Sequence, residues 1–165
     1  MDDVICLPLY GKKKEPMNVQ ELYDISKKYY DNPDMDNYKK IYGKRTEYAW
    51  ILDEQKIDFD QNYVRETVIE NIVKGIMFVE TEKGTLPVGH YTYVIHDSNI
   101  AYLDFITSFL LQRGILTKLM PRIIQEMKEK GVKTIKAVPY TKNNLEVFQK
   151  KFRFKKSGQF MIKEI

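Results

Sequence analysis

Arg113, Gly114 and Lys118 stand where an alternating run, Ile100–Thr107, gives way to an amphipathic stretch. A strand that ends in a tight turn and feeds a helix leaves the first backbone N–H groups of that helix without intrahelical partners. Those donors, with the positive end of the helix dipole, form a site for an anion such as a phosphate. Gly114 lets the backbone come close, and Arg113 and Lys118 bring positive charge beside it. An ordinary strand–turn–helix connection has the same look, so the neighbouring elements must decide between the two. His90 and His96 are the two histidines of the chain. Six residues apart on one strand they share a face, but with no carboxylate pattern around them they make no metal site. His90 is the side chain best poised to titrate near neutrality, while His96 beside Asp97 reads as a turn residue. Cys6 is the single cysteine; it cannot form an internal disulfide, reads as buried filler and suits a reducing compartment.

These residues need elements to hold them. Val4–Tyr10 is a short apolar run with the pattern of a first strand, and Pro8 places it at a sheet edge or bulge. Gly11–Pro16 is a polar loop. Asn18 and Glu21 form a capping box ahead of a helix over about 18–30, with Leu22, Ile25 and Tyr29 at helical spacing. Asp31–Asp36 breaks that helix. Tyr38–Leu52 supports two readings, helical at Tyr38, Ile41 and Tyr42 and alternating at Tyr48, Trp50 and Leu52. Asp60 or Asn62 reads as the cap of a further helix, with Val64, Val68, Ile69, Ile72 and Val73 on one face. The period then changes from 3.6 to 2. Ile76–Glu80, Val88–His96 and Ile100–Thr107, joined by short turns, predict an antiparallel meander. The helix after Gly114 carries Ile115, Leu116, Leu119, Met120, Ile123, Ile124 and Met127 on one face, and Pro121 must kink it or mark its first turn. Lys133–Val138 follows as a strand reached by a helical crossover and so parallel to the third strand of the meander. A helix over about Asn143–Phe152 and strands at Phe154–Lys156 and Gln159–Ile165 complete the chain.

Composition bounds the class. The 165 residues suit one domain with a real core, and 43% apolar with 30% charged residues is the balance of a water-soluble globular chain. No apolar run reaches the roughly 18–20 residues of a membrane span, and the acidic start M-D-D is unlike a secretory signal, so a cytoplasmic location is expected. The net charge of +4 favours acidic ligands without forming the clustered stripe of a nucleic-acid binder. Lys12–Lys14 and the run Lys150, Lys151, Arg153, Lys155 and Lys156 read as solvated surface. The twelve tyrosines are scattered, with no nucleic-acid motif around them.

Meander, glycine turn and helix, strand, short helix, closing hairpin: from about Ile76 to Ile165 this order resembles the GNAT acyltransferases. The resemblance implies an α+β, GNAT-like fold with a central, mostly antiparallel mixed sheet, splayed at the coenzyme site and flanked by helices. It implies one domain over 1–165, with 1–75 on the acceptor side and 76–165 as the acetyl-CoA-binding core. In that family the strand before the loop ends in an apolar residue whose backbone pairs with the pantetheine arm, a place matched by Ile106 with Phe105 beside it. The loop of the family runs Arg or Gln, two residues, Gly, one residue, then Gly or Ala. Here Leu111, Gln112, Arg113, Gly114, Ile115 and Leu116 stand in its place, and the central glycine alone matches; Leu116 puts bulk beside the expected diphosphate. Thr117 and Lys118 complete the implied coenzyme contacts, together with Asn144 of the segment V-P-Y-T-K-N-N-L-E-V-F-Q-K-K-F-R-F. Phe154 matches the last aromatic of the family's second signature, while Gln149 replaces its tyrosine and Arg153 its glycine.

The implied reaction moves an acetyl group from acetyl-CoA, a co-substrate, to an amine, which needs a base and a polarised carbonyl. Family bases on the matching strand stand at the Ile100 or Tyr102 positions. Neither is a carboxylate here, so Asp104, on the same strand face as Tyr102 and Ile106 by simple alternation, is the candidate base and Tyr102 the second catalytic candidate. Phe109, Leu110 and Leu111 are apolar where active relatives are polar, which predicts burial under another part of the chain or against a protein partner. The alternative is therefore a catalytically silent GNAT-fold subunit for structure or interaction, in a phage virion or an inhibitory complex. A homo-oligomer is compatible with either reading. No metal, membrane or nucleic-acid partner is expected.

Overall fold

In a computed structural model, residues 19–82, 84–97, 99–110, 113–139 and 142–165 are described. The expected strand Val4–Tyr10, the loop after it, the Asn18 cap, Cys6, Leu111 and Gln112 lie outside them. Three helices come first: α1 (Val19–Asp31), α2 (Met35–Gly43) and α3 (Arg45–Gln55). The segment with two readings, Tyr38–Leu52, is thus helical on both sides of a break at Lys44. Asp34 starts α2, its carboxylate accepting the Asn37 N–H at 2.8 Å as an N-cap. Then follow β1 (Asn62–Ile69), β2 (Ile72–Thr81), β3 (Gly84–His96), β4 (Ile100–Ser108), α4 (Ile115–Glu129), β5 (Thr134–Ala137), α5 (Lys142–Lys150), β6 (Lys155–Ser157) and β7 (Phe160–Glu164).

The helix expected around 62–73 is instead a hairpin, β1 and β2 joined across Glu70 and Asn71, with Glu70 at φ 56°. The helical spacing of its apolar residues misleads because most of them mark no buried face: Val68 (56%), Ile69 (61%) and Ile72 (36%) are exposed. All five are β-branched, which favours the pleated backbone.

The strands form one sheet in the order β1-β2-β3-β4-β5-β7-β6. β1 to β4 are sequential neighbours with short turns, an arrangement that only antiparallel pairing allows. β5 runs parallel to β4, as the helical crossover requires, and pairs antiparallel with β7, which pairs antiparallel with β6. α4 buries Ile115, Leu119, Met120, Ile123 and Met127 and carries Pro121 on its exposed side, in its interior rather than its first turn.

The chain divides into two compact units, residues 1–64, 77–89 and 108–115, and residues 65–76, 90–107 and 116–165. In the first, Leu22, Tyr29, Ile41, Tyr48 and Leu52 are buried among the helices. Ser26 inside α1 donates its hydroxyl to the Leu22 carbonyl at 2.8 Å and bonds the Tyr48 hydroxyl, so these two buried hydroxyls are paired. Phe109 sets its ring edge-on to Tyr29 at 5.7 Å and tilts against Tyr38, while its N–H donates to the Val88 carbonyl at 2.9 Å. Phe109 and Leu110 are 0% and 2% exposed. Of the two explanations for this apolar stretch, intramolecular burial holds for both residues. In the second unit Leu103, Ile135, Ala137, Met161, Phe148 and Phe154 form the core around the C-terminal strands.

Candidate active site

β4 and β5 begin together and then separate. Their register runs from Ile100–Thr134 to Leu103–Ala137, and β4 continues to Ser108 with no further β5 partner. The strands part because β5 is four residues long and its chain turns away through Val138 and Pro139. The cleft so opened is lined by Leu103, Asp104, Phe105 and Ile106 of β4, Ala137, Val138 and Pro139 beyond β5, Leu116 of α4, and Val147 and Phe148 of α5. Among the described residues, Asp104 is the one charged residue in a lining otherwise made of apolar residues. Its interior holds about 30 Å³.

Gly114 immediately precedes α4 and has φ 71°, the left-handed conformation open to a residue without Cβ. The first turn of α4 carries no acidic residue, so nothing on the helix itself neutralises its positive end. Thr117 is exposed and Lys118 half-buried in that turn, and Ile115 points into the core at 2% exposure. Arg113 is ion-paired with Asp53 of α3, a partner that lies sixty residues upstream and carries no sequence signal. Asn144 falls in α5, with its side chain outside the described ones.

The candidate catalytic residues separate in this geometry. Asp104 is exposed and lines the cleft. Tyr102 does not line it. Its ring packs against His96 at 6.0 Å and Phe160 at 6.2 Å, and the Lys136 ammonium stands 5.8 Å from its centre. Tyr102 meets His96 while Phe105 meets His90 at 5.3 Å. Asp104 and Phe105 are both among the residues that line the cleft. His90 behaves differently from the expectation of a neutral-pH titrator: burial, reinforced by the charge of Lys74, lowers it to about 4 and keeps it neutral behind Phe105. His96 is exposed, with Nδ1 2.9 Å from the Asp97 carboxylate, a turn residue as read.

A second cluster had no sequence signal. Glu66 of β1, Tyr91 and Tyr93 of β3, Glu126 of α4 and Lys130 just beyond it converge in one hydrogen-bonded group. Glu66 and its neighbours fell in the segment read as a helix, and that reading hid the convergence. No helix among the described residues is long and apolar enough to cross a membrane, and none of their His, Cys, Asp and Glu side chains group by three or more as metal ligands would.

No protein-family model matches the sequence, and no curated protein matches it significantly. Solved structures match the fold. A GNAT family acetyltransferase from Elizabethkingia anophelis, solved with acetyl-CoA bound, superposes over 64% of this chain and 99% of its own length, with TM-score 0.51 and 12% identity. The Elp3 protein of Methanocaldococcus infernus, with its N-terminus deleted, matches 71% of this chain and 33% of its own length, with TM-score 0.50 and 14% identity. Arg153 adopts φ 63°, a left-handed conformation uncommon for a residue that carries a Cβ. The chain has the fold of the GNAT acetyltransferases.

Proposed function

We propose that the protein is an N-acyltransferase that uses acetyl-CoA and an amine acceptor. The observation that carries this reading is the parting of β4 from β5 beyond Leu103–Ala137. It leaves β4 running on past the end of β5 along a cleft lined mostly by apolar residues, next in the chain to a glycine turn and a helix start without acidic residues. Bound there, the thioester supplies an activated acyl carbon. The Phe105 and Ile106 backbone pairs with an extended amide-bearing arm as a β-strand would. The N–H groups following Gly114, with Lys118, receive the diphosphate. The amine must shed a proton as its nitrogen bonds the acyl carbon and the carbon–sulfur bond breaks. Asp104, exposed on the cleft wall, accepts that proton directly or through water. Tyr102, the other catalytic candidate, packs against His96 and Phe160 outside the cleft lining and is given no proton-carrying role.

A second reading, a silent GNAT-fold subunit, draws on the 30 Å³ interior beside Leu116 and on the engagement of Arg113 by Asp53. Calorimetric titration with acetyl-CoA separates the two. Micromolar binding that disappears in Gly114→Asp, with Asp104→Asn binding normally but turning over slowly, supports the enzyme. Absence of binding by the wild-type chain refutes it and leaves the silent subunit.

A further inference from the structure

We propose that the Glu66 and Glu126 carboxyls share one proton, making their cluster a clasp that tightens in mild acid and loosens as that proton leaves. Tyr91 donates its hydroxyl to Glu66 Oε2 at 2.7 Å, and Tyr93 donates to Glu126 Oε2 at 2.6 Å. Lys130 Nζ donates to the Tyr93 hydroxyl at 2.9 Å and lies 3.4 Å from Glu66 Oε1 and 3.9 Å from Glu126 Oε2. Both carboxyls thus converge on one ammonium. Two partly buried carboxylates held that close repel when both are ionised, and a single proton held by the pair removes the excess charge. With one proton held, a single carboxylate faces the single ammonium and the group is neutral. Without it, two negative charges face one positive charge at side chains only 24%, 22% and 32% exposed.

β1 brings Glu66, β3 brings Tyr91 and Tyr93, and the end of α4 brings Glu126 and Lys130. β2 brings Gly75 against the Tyr91 ring, and the charge of its neighbour Lys74 acts on His90. Burial, then the hydrogen bond with Glu66, pushes Glu126 up to about 7. Burial also raises Glu66, but its hydrogen bonds with Glu126 and Tyr91 and the Lys130 charge outweigh it and hold Glu66 below the ordinary value. Both tyrosines are pushed upward, by burial first and then by the carboxylates they bond, and stay protonated.

The sign follows from linkage. A carboxyl raised from 4.5 to about 7 contributes stability that is full below its unfolded value and lost as pH rises through 7. Glu66, lowered, acts oppositely and only in stronger acid. His90, lowered from 6.5 to about 4, contributes stability above 6.5 that is lost toward 4. It therefore opposes the clasp over part of the same range, and the test must cancel it.

The test compares wild type with Glu126→Gln, whose amide keeps a neutral donor in place and leaves His90 untouched. Folding constants come from chemical denaturation at a series of pH values between about 5 and 8. The ratio of variant to wild-type folding constant should rise with pH, by up to about tenfold per pH unit below 7, the limit for one proton. A ratio that stays flat overturns the proposal. Should the variant not fold, carbon-13 NMR titration of the wild-type Glu126 carboxyl decides. An upper step of the pair near 7 supports the shared proton, and titration of Glu126 at the ordinary glutamate value of about 4.3 overturns it.

Discussion

Gly75→Ala tests how tightly the sheet is built around Tyr91. A Cβ placed on Gly75 would lie 2.1 Å from Tyr91 Cζ, 2.2 Å from Cε2 and 2.4 Å from the hydroxyl oxygen. Ordinary contact begins near 3.4 Å, so the ring must move by about 1 Å or more. It has little room to do so. Tyr91 is fully buried, stacks on Tyr93 with centroids 6.1 Å apart, and bonds Glu66 at 2.7 Å. Forcing an extra methyl into a packed site costs about 1–3 kcal/mol. Losing a hydrogen bond to a charged acceptor adds about 1.5–3 kcal/mol. Alanine returns about 0.4–1 kcal/mol by restricting the unfolded chain, which leaves a net destabilisation of about 2–5 kcal/mol. Denaturant unfolding of Gly75→Ala, Tyr91→Ala and the double variant measures it. The double-mutant cycle should return a large favourable coupling, because alanine at 75 is harmless once the ring is gone. A Gly75→Ala variant within 0.5 kcal/mol of wild type would refute the argument.

Two further outcomes concern the cleft and the turn. Leu116→Ala should tighten acetyl-CoA binding several-fold by widening a cleft whose interior is about 30 Å³, and calorimetry showing unchanged or weaker binding would remove Leu116 as the obstacle. Asp53→Asn should release Arg113 toward the Gly114 turn, raising coenzyme affinity and steepening its salt dependence, at a stability cost below about 1 kcal/mol for a partly exposed pair. Affinity that falls would mean the ion pair serves to shape the loop.

The order of elements from Ile76 onward was legible in the residues, because each carries its period in its own side chains. Alternation marked β2 to β4, the apolar stripe marked α4, and a crossover of that length permits only a parallel β5. Gly114 announced its turn through the one backbone conformation that other residues resist. The segment 62–73 was misread because periodicity identifies a face only when apolar residues are buried, and Val68, Ile69 and Ile72 are exposed. The site depended still more on tertiary structure. Where β4 leaves β5 is set by the length of β5, and that parting brings Asp104 and Ile106 of β4 to one cleft with Leu116 of α4 and Phe148 of α5. The ion pair Arg113–Asp53 and the cluster of Glu66, Tyr91, Tyr93, Glu126 and Lys130 join residues up to sixty-four positions apart. Local sequence carries propensity and period. The charge of a buried group is set by the neighbours that folding brings to it, which is why His90 was readable as a histidine but not as a neutral one.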